Sequence, residues 1–333
     1  MSTNTRSIIT AVEHYFPEKI LTNADMEKLV DTSDEWIQTR TGIQKRRKIK
    51  HGEAASDLAA RAIEKLLKQK KMAAKDIELI IVATVTPDMM FPSTACRIQE
   101  KIGASHAWGF DVSAACSGFI FALSTADQFI VSGRYKNALV VGVDVMSSIL
   151  DYKDRNTCVL FGDGCGVVLL EPEPEASSLG IIDHICKIDG KGGQYLYMPG
   201  GGSLNGTSQK TLDENMHVVH QEGKQVFKYA VTEMANVSEE ILEKNKLSAQ
   251  DIDCFIPHQA NLRIIESCQK RLKLTDDQVI VNIQEYANTT SATIPTCMSQ
   301  AVDAKKIKKG DLVLIASFGA GFTWGASLIR WAY

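Results

Sequence analysis

Residues 106–135, HAWGFDVSAACSGFIFALSTADQFIVSGRY, carry the strongest structural pattern in the chain. A short run typical of a β-strand, at 108–112, leads into the small residues 113–118 and then into a long helical pattern. Apolar side chains occupy the whole circumference of this pattern, as they do in a central helix that is buried on all sides. The segment therefore predicts a strand, a tight turn and a buried helix.

Cys116 lies at the start of the predicted helix, with small residues on both sides. Unpaired N–H groups and the positive end of the helix dipole stabilise a thiolate at such a position. The small neighbours leave room for a substrate to reach the sulfur. The segment alone is equally compatible with a small buried apolar side chain, which is the usual role of a free cysteine. The choice between nucleophile and structural residue depends on the rest of the chain.

Bulk composition is that of an ordinary globular protein, with 333 residues, 44% hydrophobic and 23% charged. The formal net charge of -3 provides no general attraction to nucleic acid or to a membrane surface. The eight cysteines are scattered without a CxxC pair, which favours free thiols in a reducing compartment. The N-terminus lacks the apolar core of a signal peptide, and no apolar run reaches membrane-spanning length. We therefore expect a cytoplasmic protein without a membrane or nucleic-acid partner.

Strand and helix patterns alternate along the chain, which predicts a layered α/β protein. Strands are predicted at 79–84, 138–143, 158–161 and 166–170, and helices at 57–69 and 226–244.

The chain also resembles itself. Residues 62–84 and 239–259 share the order helix, small-residue turn, Asp-Ile-acidic and strand, and Asp76 and Asp251 lie 175 positions apart. Leu139 and Leu312, in two further strand patterns, lie 173 positions apart. We predict two duplicated halves, 1–175 and 176–333, joined at the Pro-broken segment EPEPE of residues 171–175. A chance repetition of helix–strand units is the alternative.

The repeat places two further residues near Cys116. Adding the offset to Cys116 reaches the polar segment that begins at Asn288, and His258 follows a strand pattern at 254–256. We expect the three side chains to converge on one cleft. A thiolate attacks thioesters, and an imidazole and a carboxamide can stabilise the resulting oxyanion or an enolate. Taken singly, His258 also fits a structural histidine, and Asn288 also fits a turn residue.

A glycine-rich turn, FGAGFTWG at 318–325, separates two predicted strands near the end of the chain. Glycine permits close backbone approach and outward-facing N–H groups, so this turn can supply half of an oxyanion hole. The N–H of Cys116 would supply the other half. An ordinary hairpin explains the pattern equally well.

Several motifs together resemble β-ketoacyl-acyl-carrier-protein synthase III. They are DVSAACSGF around Cys116, PHQANLRI around His258, YANTTSATIP around Asn288 and SFGAGFTWG near the end, with LTNADMEKLVDTSDEWIQTRTGI and DRNTCVLFGDGCG in the first half. The likeness extends over nearly the whole chain. It implies a thiolase-like α/β fold, in which two similar halves form a five-layered αβαβα arrangement, and it implies a homodimer.

The resemblance also implies a reaction. Cys116 would take an acyl group from acyl-CoA, after which malonyl-acyl carrier protein would lose carbon dioxide and attack the acyl thioester. His258 and Asn288 would hold the malonyl thioester carbonyl as it becomes an enolate, and Phe318 would offer an apolar wall to the carboxylate. The backbone N–H groups of Cys116 and Ala320 would form the oxyanion hole, although the family often has glycine at the position of Ala320. Coenzyme A is a substrate here, and neither a metal nor another cofactor is implied.

The same resemblance suggests the binding residues for the nucleotide. Trp36 and Arg155 match the pair that sandwiches the adenine of CoA, and Thr32 and Arg40 match neighbours near the nucleotide end. An aromatic face and a guanidinium plane are suited to a purine. Without the resemblance, Trp36 would be interpreted as a helix residue that packs on the core. Phe91 matches a position at which the partner subunit closes the acyl pocket, and a bulky residue there favours short primers.

Basic residues suggest where the carrier protein docks. Arg263, Lys270 and Arg271 follow PHQAN on one predicted helix face, and Lys228 lies on another helix. A solvated charged face is the ordinary interpretation, but a local basic patch also suits an acidic carrier protein. The more basic run at 45–50 is predicted to be a surface loop, and it lacks the interleaved aromatic residues of a single-strand nucleic-acid site.

Three other functions remain compatible with these motifs. One is a related condensing enzyme of quinolone or polyketide synthesis, and another is a simple acyl-CoA to carrier-protein acyltransferase. The third is an inactive scaffold that binds carrier protein. Carbon dioxide release distinguishes condensation from simple transfer, and a scaffold would not need Cys116, His258 and Asn288.

Overall fold

The computed structural model describes residues 6–173 and 177–333. The predicted boundary between the halves, at 175/176, lies outside the described residues and stays a prediction.

In chain order, the strands are β1 (Ser7–Tyr15), β2 (Lys19–Thr22), β3 (Lys45–Lys48), β4 (Leu79–Ala83), β5 (Trp108–Val112), β6 (Ala138–Val145), β7 (Asp163–Pro172), β8 (Gly180–Ile188), β9 (Leu196–Tyr197), β10 (His220–Gln221), β11 (Cys254–Pro257), β12 (Leu312–Gly319) and β13 (Thr323–Arg330). The α-helices are α1 (Asn23–Glu27), α2 (Asp34–Thr41), α3 (Ala55–Lys70), α4 (Thr94–Ile102), α5 (Gly118–Val131), α6 (Arg155–Cys158), α7 (Gln209–Asp213), α8 (Gly223–Lys244), α9 (Leu262–Leu272), α10 (Ile283–Tyr286) and α11 (Thr293–Asp303).

Two sheets share one strand arrangement. The first has the order β1-β7-β6-β4-β5, and the second has the order β8-β13-β12-β11. In the first sheet β4 is parallel to β6, whereas β7 is antiparallel to both β6 and β1. In the second sheet β11 is parallel to β12, whereas β13 is antiparallel to both β12 and β8. The predicted duplication is therefore visible as four strands of the same order and directions in each sheet, to which the first sheet adds β5.

The helices complete five layers. Helices α5 and α11 lie between the sheets, with α3 and α4 outside the first sheet and α8 and α9 outside the second. Successive residues of β4 show the layering, since Leu79 and Ile81 join the central core while Ile80 and Val82 join the outer one. Every residue of β4 is buried, as a strand covered on both faces requires. The predicted central position of α5 is confirmed.

Two local predictions were wrong. Residues 158–161 do not form a strand, because Asp154 caps the short helix α6 by accepting a hydrogen bond from the Asn156 N–H (2.9 Å). The basic run at 45–50 is not simply a surface loop, because its first four residues form β3 and pair with β2. Arg46 in this strand is only 2% exposed, and its guanidinium donates to the Val159 carbonyl (2.8 Å).

Two glycines let helix α11 approach the first sheet closely. A Cβ atom at Gly142 of β6 would lie 2.4 Å from the carbonyl oxygen of Ser291, and one at Gly166 of β7 would lie 2.7 Å from Cβ of Pro295. Real Cβ atoms do not approach other atoms this closely, so a larger residue must displace the turn before α11 at Gly142 and α11 itself at Gly166. The spacing of the central layer depends on these two positions.

Gly142→Ala should therefore destabilise the protein by about 1–3 kcal/mol through overpacking. Denaturant unfolding followed by circular dichroism measures this change. Gly190→Ala is the matched control, because a Cβ atom at Gly190 would meet nothing within 4 Å. If both variants unfold at the wild-type denaturant concentration, the close packing of α11 does not limit stability.

Candidate active site

The turn that carries Cys116 is held by the second half of the molecule. Residues Ala115–Ser117 form a single 3₁₀ turn immediately before α5. The Ser317 hydroxyl of β12 donates to the Cys116 carbonyl (2.8 Å), and the Thr323 hydroxyl of β13 donates to the Ala114 carbonyl (2.8 Å). Ser117 returns a hydrogen bond to the Thr323 carbonyl (3.0 Å). The position of the sulfur is thus set by the β12–β13 hairpin.

Asn288 is fixed through both its backbone and its side chain. Its N–H donates to the Leu160 carbonyl and its carbonyl accepts from the Gly162 N–H, each at 3.0 Å. The side-chain oxygen accepts a hydrogen bond from the Thr290 N–H (2.8 Å). The amide NH₂ group takes no part in this bond. The Asn288 side chain lowers the pKa of the Cys116 thiol, so the carboxamide lies beside the sulfur. The carboxamide therefore presents a donor at the sulfur.

His258 follows β11, and its N–H donates to the Ala316 carbonyl (2.8 Å). The side chain is 2% exposed, and its Nδ1 lies 2.6 Å from the Thr293 hydroxyl of α11. Its Nε2 has no hydrogen-bond partner among the described residues. The imidazole is therefore anchored at one nitrogen and available at the other.

One cavity of about 650 Å³ brings the predicted residues together. Cys116, His258, Asn288 and Phe318 all line it. A second cavity of about 160 Å³ also reaches Cys116, and its lining is almost entirely apolar. Its lining residues are Val85, Ala115, Cys116, Met146, Ile149, Phe161, Leu196, Tyr197, Met198, Val219, Thr290 and Ala320. A substrate bound at the sulfur thus has a large side lined by both polar and apolar groups and a small apolar side.

The resting site carries no charge on its central side chains. Burial raises the pKa of the Cys116 thiol to about 12, and the nearby Asp144 carboxylate acts in the same direction. The hydrogen bonds from Asn288 and from the backbone lower this pKa but do not outweigh burial. Burial also lowers the pKa of His258 to about 3, so the ring is neutral at physiological pH. Burial thus opposes the thiolate that was expected at the helix start.

Asp144 was not singled out from the sequence. Its side chain is fully buried at the end of β6 and accepts hydrogen bonds from Thr86 (3.0 Å) and from the Ser291 N–H (3.0 Å). Burial raises the pKa of its carboxyl group. Asp144 therefore joins the loop after β4 to the turn before α11. An aspartate within an otherwise apolar strand pattern was the available signal.

Two of the four predicted nucleotide residues line the large cavity. Trp36 and Arg40 line it. The Arg155 guanidinium lies 5.1 Å from the Trp36 ring centroid, and one of its nitrogens donates to the Asp31 carbonyl (2.8 Å). A purine between them needs a separation of about 7 Å, because each contact takes 3.5 Å or more. Thr32 has a buried hydroxyl without a partner in the described part of the chain.

The predicted carrier-protein residues are all exposed but differ in their surroundings. Arg263 lines the large cavity with its guanidinium 5.0 Å from the Phe227 ring centroid. Lys228 and Lys270 are exposed at the surface. Arg271 forms an ion pair with Glu239, in which its Nε donates at 3.0 Å.

Sequence reasoning missed Lys224. This residue lies one helical turn before Lys228 on α8 and lines the large cavity together with Arg40 and Arg263. Within the described residues, no carboxylate lines this cavity. The mouth of the cavity is therefore positively charged, and the i, i+4 spacing of the two lysines was the available signal.

Phe91 lies apart from both cavities of its own chain, in the loop that precedes α4. It is 84% exposed, and its neighbours Met89 and Met90 are 45% and 77% exposed. Ala320 lines the small cavity beside Cys116, and its backbone does not adopt a positive φ. Alanine therefore fits this position without backbone strain.

Comparison with known proteins identifies the family. The family model described as 3-oxoacyl-[acyl-carrier-protein (ACP)] synthase III matches residues 110–190, and the model of its C-terminal part matches residues 242–331. A beta-ketoacyl-[acyl-carrier-protein] synthase III from Koribacter versatilis is 54% identical over 333 residues, which is 100% of both chains. The chain belongs to the β-ketoacyl-acyl-carrier-protein synthase III family.

Solved structures of this family have the same fold. The 3-oxoacyl-[acyl-carrier-protein] synthase III from Aquifex aeolicus has a TM-score of 0.90 and 41% identity, covering 98% of this chain and 100% of that one. The priming β-ketosynthase of the R1128 polyketide pathway has a TM-score of 0.90 and 31% identity, covering 98% and 96%. The predicted thiolase-like fold is confirmed. Family membership also confirms the prediction of an acyltransferase that performs the initiating condensation of fatty acid biosynthesis.

Two further features concern the synthase as a whole. None of the helices in the described ranges is long and apolar enough to cross a membrane. Across residues 6–173 and 177–333, no three His, Cys, Asp or Glu side chains form a group suited to a metal ion.

The high pKa of Cys116 predicts a steep pH dependence of its alkylation. Iodoacetamide reacts with the thiolate, so modification should rise roughly tenfold per pH unit from neutral pH upward, without levelling off below pH ~10. Peptide mass spectrometry separates this adduct from that on the exposed Cys96. A plateau with a midpoint near neutral pH would instead support the thiolate that the helix dipole suggested.

Proposed function

We propose that this synthase transfers a short acyl group from CoA to Cys116 and condenses it with malonyl-acyl carrier protein. In the first step a bond forms between the cysteine sulfur and the acyl carbon, and the thiol proton ends on the departing CoA sulfur. In the second step the malonyl group loses carbon dioxide, and the resulting enolate attacks the acyl carbon. The cysteine leaves as a thiolate, which takes a proton from solvent. The main support is the convergence of Cys116, His258 and Asn288 on one cavity.

His258 and Asn288 are assigned to the decarboxylation step. An enolate oxygen needs donors that are already in place and remain protonated. A neutral imidazole with a free Nε2 and an amide NH₂ group whose oxygen is already bound meet that need. Phe318 provides the apolar wall. It is 4% exposed and packs against Phe322 with ring centroids 4.8 Å apart, and an apolar surface disfavours a carboxylate relative to carbon dioxide.

The small cavity is assigned to the acyl chain. One water-sized group occupies about 30 Å³, so 160 Å³ accepts only a short chain. Cys116 and Ala320 both line this cavity, and their backbone N–H groups are assigned to the oxyanion hole. Because Ala320 needs no positive φ, the alanine at this position does not argue against its role.

The positively charged mouth is assigned to the CoA nucleotide and the carrier protein. Trp36 and Arg155 would separate by about 2 Å to admit the adenine, with Thr32 and Arg40 beside it. Lys228, Arg263 and Lys270 would attract an acidic carrier protein. Arg271 contributes less, since Glu239 already neutralises it.

The synthase is proposed to act as a homodimer in the cytoplasm. Strand β5 lies at the edge of its sheet, with Trp108 42% exposed, and an uncovered strand edge favours pairing with another chain. The exposed Met89, Met90 and Phe91 would reach the acyl pocket of a second copy. The free state of all eight cysteines supports a reducing compartment.

Priming of polyketide synthesis is a candidate second role beside the initiation of fatty acid biosynthesis, and the likeness to the R1128 priming ketosynthase supports it. Both roles use the same chemistry at Cys116 and differ in the carrier protein that brings the malonyl group and keeps the product. Kinetics with purified fatty-acid and polyketide carrier proteins separates them.

The three central residues should affect the two steps differently. Cys116→Ala should abolish acyl-enzyme formation, which intact-protein mass spectrometry after incubation with acyl-CoA measures. His258→Ala and Asn288→Ala should lower carbon dioxide release from malonyl-carrier about 10²–10³-fold while acylation falls much less. Equal losses in both steps would contradict the assigned roles, and an acyl adduct on the Cys116→Ala protein would refute the nucleophile.

Arg263→Glu should raise KM for malonyl-carrier protein about tenfold at low ionic strength, because it reverses a charge at the docking face. The effect should shrink as salt increases. Lys75→Glu is the matched control. The exposed Lys75 lies before the N-terminal end of β4, whereas Cys116 lies at the opposite end of the strands. Unchanged KM in the Arg263 variant would place docking on another face.

A further inference from the structure

The hydroxyl of Thr293 is the immediate partner of the His258 imidazole. Thr293 is the first residue of α11 and is 1% exposed. Its Oγ1 lies 2.6 Å from His258 Nδ1 and 3.2 Å from the Thr290 carbonyl oxygen. A hydroxyl has a single proton, so it can donate to only one of these two atoms.

The distances indicate where that proton lies. Hydroxyl donors to oxygen make hydrogen bonds of about 2.5–3.0 Å, whereas N–H donors to oxygen make bonds of about 2.7–3.2 Å. The 2.6 Å contact with His258 fits a hydroxyl donor and is short for an N–H donor. The 3.2 Å contact with Thr290 is long for a hydroxyl donor. Both distances place the Thr293 proton on the side of the imidazole.

We propose that the Thr293 hydroxyl donates to His258 Nδ1 and thereby holds His258 in the tautomer that carries its proton on Nε2. With Nδ1 occupied as an acceptor, the neutral ring has its N–H at Nε2, the nitrogen without a partner among residues 6–173 and 177–333. A buried donor without an acceptor is unfavourable, so this N–H is prepared for a substrate oxygen. Thr293 is therefore a positioning residue, and it acts through His258.

The consequence for the reaction rests on the proposed function. An enolate oxygen needs a donor at Nε2, and the other tautomer would present a lone pair that repels it. Asn288 contributes the second donor, since its own oxygen is bound to the Thr290 N–H. Thr290 and Thr293 thus orient the two donors from one short segment. Loss of the Thr293 hydroxyl should weaken the decarboxylation step more than acylation of Cys116.

Thr293→Val tests the proposal because valine has nearly the same shape but no hydroxyl, and Thr293→Ser is the matched control that restores one. The valine variant should release carbon dioxide from malonyl-carrier about ten- to a hundredfold more slowly, with acylation of Cys116 within a few fold of wild type. The serine variant should recover most of the lost rate. Equal loss in both steps, or no recovery with serine, would overturn the positioning role.

The tautomer is measured independently by ¹⁵N NMR of histidine-labelled protein, with the His258 signal identified by its loss in His258→Asn. Wild type should show a protonated Nε2 and a hydrogen-bonded, unprotonated Nδ1, whichever substrate the enzyme uses. A protonated Nδ1 in wild type would overturn the proposal even if the valine variant does not fold. Absence of carbon dioxide release by wild type would instead refute the proposed function and leave the tautomer result standing.

Discussion

Hydrogen bonds that cross between the two halves of the molecule hold the reactive sulfur in place. The turn of Cys116 belongs to the first half, but Ser317 and Thr323 of the second half bind its carbonyl groups. These groups are buried, and each lost bond there costs about 1–3 kcal/mol. The turn cannot relax unless the β12–β13 hairpin moves with it. The position of the nucleophile is therefore a property of the whole layered fold.

The burial that gives this rigidity also decides the charge state of the site. A rise in the thiol pKa from 9.0 to about 12 corresponds to roughly 4 kcal/mol against the thiolate. The dipole of a helix start contributes about 0.3–2 kcal/mol in favour of it, so desolvation prevails. The same burial keeps His258 neutral. A site of neutral donors is suited to a charge that appears only during the reaction, because no resident ion competes for those donors.

The sequence predicted those features that depend on local pattern. Continuous apolar runs gave β4 and α5, and the 175-residue offset between Asp76 and Asp251 matches the 3₁₀ turns that precede β4 and β11. Patterns failed where one polar contact overrides them. The apolar run at 158–161 is interrupted because Asp154 caps α6.

Site residues, too, could be predicted where a local sequence pattern marks them. Cys116, His258 and Asn288 could be found because each lies in a distinctive motif, and the structure brings them to one cavity. Arg46 was misjudged because a run of basic residues does not reveal that one guanidinium turns inward to bind the Val159 carbonyl. Lys224 was missed although its spacing from Lys228 was a signal, because the spacing does not show that the lysine lines the cavity. Thr293 could not be found, since its importance lies in a contact with His258 that only the packed chain creates.

The duplication explains why only one of two similar turns carries a nucleophile. Ala115 and Thr290, 175 positions apart, both have left-handed backbones, with φ of 47° and 55°, and each turn leads into a central helix. At the position of Cys116 the second turn has Ser291, whose hydroxyl lies 2.7 Å from the Asp144 carboxylate and 2.8 Å from the Ala83 carbonyl. Both contacts of this hydroxyl join the second half of the molecule to the first. In the first turn the sulfur lies in a cavity. The second turn carries no nucleophile, and the segment around it fixes Asn288 and His258 opposite the sulfur.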